Sequence, residues 1–287
     1  MTRSLSDARP LHSEVGWSYR SDGSSKFAYG TNNAPDIPGK QSSAATVTGP
    51  REVRLRDELT DSATFQVIVA PLDGISAGVS LTALAAEFQT LFKSVILLHH
   101  HPRSLIQLTV QTMSIPPQPT KTLRLTLDAK EMSETETKRR APLLLGPDRP
   151  FLVSEIASSI NASTLALMDA NIPLRASVIA SSCAILPKSE LCAERDMDPD
   201  EQASFVVVVD PTPEEEMAAE SLHVLAFAIS GYEPMAKDDT GMQHSLVYCS
   251  STGRTTAKQR HDVIEFSKKD AVATLASIRS MLENRFE

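Results

Sequence analysis

The stretch STLALMDANIPLRASVIASS, Ser163 to Ser182, decides how the rest of this chain is read. Thr164, Leu165, Leu167, Met168, Ile172 and Leu174 recur at helix-like spacing until Asn171-Ile172-Pro173 stops the pattern. The run from Ser177 to Ala184 that follows is short and rich in small and β-branched residues. This predicts a buried helix, a tight turn and a buried strand. The stretch holds no nucleophile paired with a base, so what surrounds it must decide the function.

Working outward, short runs around Lys26–Tyr29 and Ala45–Thr48 read as strands, with a Gly- and Pro-marked loop between them. ATFQVIVAPLDG alternates from Ala63 to Leu72 and predicts a strand. Leu81 to Leu98 predicts a helix with Leu84, Phe88, Leu91 and Val95 on one stripe, and SLIQLTVQTMS predicts another strand. From Ile115 to Pro150 the periodicity breaks into Pro clusters, an acidic patch and Lys138-Arg139-Arg140, which predicts a surface insertion. Later strands are expected at Phe205–Val209, Leu222–Ile229 and Ser245–Tyr248, and an amphipathic helix over about 262–285. Residues 1–21 are polar around Trp17 and read as a mobile tail. Strands interleaved with a few long helices give an α+β class, as one domain over 22–287 with an insertion at about 115–150.

The chain has 287 residues, 41% of them hydrophobic, enough to bury a full core. Its net charge of -8 argues against gripping nucleic acid over the whole surface but permits a local basic path. Cys183, Cys192 and Cys249 lack metal-ligand spacing and leave one thiol over in any disulfide scheme, which fits a reducing compartment. No apolar run approaches the roughly 20 residues of a membrane span, and the polar start has no apolar signal core. A soluble nuclear or cytosolic protein with no membrane partner is expected.

Six stretches, in order, resemble the RNase PH-like family: DGSSKFAYGTNN, TVTGPREVRLRDE, ATFQVIVAPLDG, SVILLHHHPRSLIQLTVQTMS, STLALMDANIPLRA and VVDPTPEEE. Within that family the Asp-Gly-Ser start, HPRSLIQ and the Asp-Pro-Thr turn look most like the ring subunits of the eukaryotic exosome. The resemblance implies a ribosomal protein S5 domain 2-like fold with two βαβ-like halves and mixed sheets. It implies assembly into a six-membered ring around an RNA channel, with other RNase PH-like subunits as neighbours and S1/KH-type cap subunits above. Nuclear, nucleolar and cytoplasmic locations follow from the same resemblance.

Active members of the family phosphorolyse RNA from its 3′ end, which needs a held phosphate, cations for the RNA backbone, and carboxylates. The Gly-Gly-Thr-Arg or Gly-Ser-Arg motif of active relatives corresponds to Val153-Ser154-Glu155-Ile156, so the arginine falls on Ile156 and Glu155 brings a negative charge to the phosphate position. The carboxylate pattern of active relatives falls on Glu215 to Leu222; Glu216 stands at the first Asp and Leu222 replaces the last. An arginine of the preceding helix falls on Gln89, and no Arg lies between Phe151 and Leu174. The expectation is a non-catalytic ring subunit that channels RNA to an associated nuclease, without cofactor or metal; the alternative is an active phosphorolytic 3′–5′ exoribonuclease.

Other candidates have plainer readings. His99-His100-His101 would alternate sides on an extended chain and reads as a helix-to-strand turn, not a metal site. Glu214-Glu215-Glu216 reads as a solvated acidic turn, Asp169 as a capping or hydrogen-bonding residue, and Cys183 as core. Arg51, Arg54, Arg56 and Arg103 are either RNA contacts in the channel or salt-bridge partners of Asp57, Glu58 and nearby acids. The strands Ser104–Ser114 and Leu222–Ile229 are the expected joins to ring neighbours.

Overall fold

The computed structural model describes residues 9–30, 40–72, 78–116, 151–187, 205–230 and 243–286. The first sheet contains β1 (Leu11–Val15), β2 (Gly23–Tyr29), β3 (Gln41–Glu52), β4 (Thr64–Ala70) and β5 (Ser104–Ser114), in the order β1-β2-β3-β5-β4. The second contains β6 (Ser177–Pro187), β7 (Phe205–Val209), β8 (Ser221–Ser230) and β9 (Gln243–Gly253), in the order β7-β6-β8-β9. Helices α1 (Val79–Val95), α2 (Val153–Asp169), α3 (Pro213–Ala218) and α4 (Ala257–Phe286) complete the fold. Among the described residues the mixed character of the sheets rests on one parallel pair, β4 with β5; the second sheet is antiparallel at each of its described pairs.

The quoted stretch is the end of α2, its turn and β6. α2 lies between the two sheets and packs on β2 and β3 of one and on β6 and β8 of the other. That position explains why the helix is buried on nearly every side although it is built of Ala, Ser and Thr as much as of Leu and Ile. Small side chains let two sheets approach one helix closely, and their hydroxyls find backbone or one another. Ser163 Oγ donates to Ser159 O at 2.6 Å, Thr164 Oγ1 to Val178 O at 2.7 Å, and the Ser158 and Ser43 hydroxyls meet at 2.8 Å. Asn161, fully buried, spans the layer: its Nδ2 donates to Tyr29 Oη and to Ala180 O, each at 3.0 Å, and its Oδ1 accepts from Ala180 N at 2.7 Å. On the other side, a Cβ added at Gly23 would run into the backbone of Ala166 and Ala170, so β2 reaches the helix only through a glycine. Asp169 takes the structural role expected of it, accepting from Ser24 N at 2.8 Å. Asn171, at φ 53, turns the chain out of the helix.

Leu84, Phe88, Leu91 and Val95 are buried as one stripe of α1. α4 packs across β6, β7 and β8 with Val263, Leu275 and Ile278 buried. Cys183 is fully buried and its Sγ lies 3.1 Å from Ser267 Oγ of α4.

Three expectations are corrected. Residues 9–21 are not a mobile tail: Leu11–Val15 pairs with Ser25–Tyr29, and Ser13 Oγ lies 3.3 Å from Met281 Sδ of α4. The alternation is hidden by the polar Ser13 on the inward face and by the strand's short length. β5 and β8 cannot supply edges for a neighbour, because β5 is flanked by β3 and β4 and β8 by β6 and β9; among the described residues the edges are β1, β4, β7 and β9. The acidic triplet is not a solvated turn but the body of α3, opened by a Thr212–Glu215 capping box. Residues 1–8, Cys192 and the expected insertion beyond Pro116 lie outside the described residues.

Candidate functional site

The first turn of α2 is where the resemblance puts phosphate. A helix start offers backbone N–H groups and the positive end of the dipole to an anion. The N-cap here is Leu152, which gives no side-chain oxygen. The oxygen comes instead from α3: Glu216 Oε1 lies 3.4 Å from both Ser154 N and Ser154 Oγ. α3 can aim this carboxyl inward because Thr212 Oγ1 accepts from Glu215 N at 3.4 Å while Glu215 Oε2 accepts from Thr212 N at 2.8 Å, fixing the short helix at its start. Glu216 is buried, and burial pushes its carboxyl up from an ordinary 4.5 to about 7, against the pull of the Ser154 and Val153 contacts and of Arg9. At neutral pH the group is therefore divided between the acid and its anion, and it stands at the helix start in either form.

The expected repulsive charge is thus assigned to the wrong residue. Glu155 turns away into the core and accepts from Thr112 Oγ1 of β5 at 2.7 Å. Ile156 is half-buried and packs on the core, as does Leu222 at the start of β8. A cation does come near, from a position that reads in the sequence as tail. Arg9 donates from Nε to Asp210 Oδ2 at 2.6 Å and from Nη2 to Asp210 Oδ1 at 2.7 Å. This bidentate fork engages its strongest donors. Asp210 takes a positive φ of 50 at the end of β7, a conformation Asp tolerates, and this sets its carboxylate toward Arg9. The only sequence signal for this pair is the Asp-Pro-Thr turn itself.

Gln89 does not join this group. Its Nε2 donates to Phe65 O at 2.6 Å, and Phe65 pairs with Ile106, six positions along β5 from Thr112. At about 3.3 Å per residue that is roughly 20 Å away along the sheet. The four arginines gather at that far end. Arg51 closes β3 and donates from Nη2 to Gln107 Oε1 at 2.6 Å. Arg54 and Arg56 are exposed in the β3–β4 connection, and Arg103 precedes β5 at a φ of 58. The salt-bridge reading holds for two of them: Arg56 Nε lies 3.5 Å from Asp57 Oδ1 and Arg103 Nε 3.5 Å from Glu58 Oε1, and the two side chains stay 91% and 67% exposed. Exposed pairs of this kind are worth little and leave the guanidinium groups available. His99 and His100 form a short 3-10 turn with exposed rings. No cluster of metal-ligating residues is present among the described residues.

Residues 7–173 match the sequence model described as the 3′ exoribonuclease family, domain 1. The chain is 24% identical over 274 residues to exosome complex component RRP46 of Saccharomyces cerevisiae, covering 96% of each. It is 28% identical over 169 residues to exosome complex component rrp46 of Schizosaccharomyces pombe, covering 59% of this chain and 55% of that protein. The fold is that of the crystal structure of rice Rrp46, with a TM-score of 0.66 at 17% identity over 98% of both chains.

Proposed function

The chain belongs to the 3′ exoribonuclease (RNase PH) family, and on that premise we propose that it is a non-catalytic ring subunit of an RNA exosome, as its yeast relatives are named exosome components. The observation that carries the loss of chemistry is Ile156, packed on the core in the first turn of α2 where active relatives hold phosphate with an arginine. Inorganic phosphate entering there finds no arginine on the helix, and the nearby Arg9 is already forked to Asp210. Ile156 and Leu222, at the positions of the phosphate-binding arginine and the last catalytic aspartate, can neither bind an anion nor move a proton, and one positioned acid or base is worth ~10²–10⁴-fold in rate.

In this reading RNA passes the end of the molecule that carries Arg51, Arg54, Arg56 and Arg103, held weakly and without sequence preference, toward a separate nuclease. Ring neighbours of the same family join at exposed strand edges, and S1/KH-type subunits cap the ring. The reading places the protein in the nucleus, nucleolus and cytoplasm. No helix of the described residues is long and apolar enough to cross a membrane, and no membrane partner is proposed.

The deciding experiment incubates the purified chain with a 3′-tailed RNA, phosphate and Mg²⁺, and follows nucleoside diphosphates. The expected result is none above background. Turnover that disappears in Glu216→Ala would establish the alternative, an active phosphorolytic exoribonuclease. Recovery of the native complex, with its mass and co-purifying subunits, tests the ring assignment separately.

A further inference from the structure

A cleft crosses the end of the molecule where α2 stops, one helix length of roughly 25 Å from the Glu216 contact. It has two lobes, of ≈ 390 and ≈ 500 Å³, which share Arg175, Ala176 and Ser230. Arg279 of α4 borders the first lobe, and Ser94 of α1 and Val247 of β9 border the second. The backbone beneath Arg175 is fixed from both sides. Leu174 bridges Ile96, Leu97 N donates to Pro173 O at 3.0 Å, and Arg175 N donates to Val95 O at 3.0 Å. Arg279 follows Ile278, which is 2% exposed and pins that turn of α4 to the core.

The lining is unusual for this chain. The protein carries 36 acidic against 28 basic residues, yet among the described residues no carboxylate lines either lobe. Among the same residues neither Arg175 nor Arg279 forms a salt bridge. Hydroxyls from Ser177 and Ser230 stand beside the two arginines, and Leu174, Ile229 and Val247 supply apolar wall. Two guanidinium groups with hydroxyl donors suit a phosphate group, which takes Arg forks in bidentate fashion. An apolar wall beside them suits an uncharged ring, and a lobe of this volume holds a small organic ligand.

We propose that this cleft binds a nucleoside monophosphate, free or as the terminal residue of a longer strand, with its phosphate between Arg175 and Arg279 and its base against Leu174 and Ile229. The site needs nothing from the ring assignment and uses none of the residues at the start of α2.

The test is calorimetric titration of the full chain with adenosine monophosphate, adenosine and inorganic phosphate. The expected result is saturable binding of the monophosphate, with each simpler probe weaker by about tenfold or more, since each lacks one half of the contacts. Arg279→Gln and Arg175→Gln should each weaken the monophosphate by about tenfold, and Glu216→Gln should leave it unchanged. Both arginine variants must keep the parental thermal midpoint; if Arg175→Gln loses it, Arg279→Gln, on an exposed side chain, decides. The absence of saturable binding overturns the proposal, as does equal affinity in the parent and Arg279→Gln. Phosphate binding as tightly as the monophosphate overturns the nucleoside part. A response to Glu216→Gln instead would move the ligand to the start of α2. A terminally phosphorylated oligonucleotide competing with the monophosphate, in a way lost in Arg279→Gln, would identify a strand end as the source of the ligand.

Discussion

Arg9 and Asp210 stand 201 residues apart and meet through two guanidinium–carboxylate contacts of 2.6 and 2.7 Å. Their side chains are 15% and 2% exposed. Burial pulls the Arg9 pKa down, but Asp210 outweighs it and the net direction is up. The pair anchors the segment before β1 to the end of β7, so an edge strand of the first sheet is tied to an edge strand of the second.

Removing Arg9 takes the two-point fork away from the buried Asp210 carboxylate. Arg9→Ala is expected to cost about 3 kcal/mol in urea unfolding. Replacing both, as Arg9→Met with Asp210→Asn, should recover most of that loss, because the buried carboxylate charge goes with its fork and Asn keeps the positive φ. A single variant within about 0.5 kcal/mol of the parent would show the pair to be solvated.

Glu216 links stability to pH. Its carboxyl titrates at about 7 when folded against an ordinary 4.5, so between those values the folded state binds the proton more tightly. The contribution to stability is full below 4.5 and is lost as pH rises through 7, a change on the order of 3 kcal/mol. Urea midpoints from pH 5 to 8 should therefore fall for the parent. They should run flatter for Glu216→Gln; equal slopes in the two proteins would place the titration elsewhere.

Asn161 should be the most costly single polar residue of α2, since its one side chain holds β2 through Tyr29 and β6 through Ala180. Asn161→Ala strands buried donors and acceptors on both sheets and is expected to cost about 3 kcal/mol. Asn161→Asp, which keeps the acceptor for Ala180 N but loses both donated bonds, should not rescue it.

The arginine end should show itself in the salt dependence of RNA binding. Every phosphate that the protein no longer neutralises lowers the slope of log affinity against log salt by about 0.7 on a single strand. Arg51→Ala with Arg54→Ala should lower the slope by about 1.4 if each side chain holds one phosphate, uniformly across sequences. An unchanged slope would assign these residues to protein contacts.

The sequence is most readable where burial is one-sided and periodic. The α1 stripe and the β5 run Ser104–Ser114 are where the alternation places them. α2 is legible as buried, but not as shared between two sheets, because its Ser and Thr positions carry no apolar signal. β1 escapes notice for want of length and alternation. The family motifs locate the start of α2 correctly, yet they point Glu155 at that helix start, when the carboxyl that meets it in space is Glu216. Contacts such as Arg9 with Asp210 join distant segments through side-chain geometry, which no local pattern records. Gln89 illustrates the reverse error: a position grouped by motif that the sheet separates by six residue pairs.

Because α2 serves both sheets, the order in which the chain is made has a consequence. On the ribosome the five strands of the first sheet are all synthesised before Val153, and residues 117–150 must also pass before the covering helix appears. At about 5–20 residues per second this leaves the inner face of that sheet, with Phe27, Val47, Leu108 and Val110, uncovered for seconds. β6 then follows the helix within a few residues, so the second sheet grows on a template already in place. The first sheet is thus made whole before any of the helix that covers it, and its inner face is closed only once Asp169 has been added.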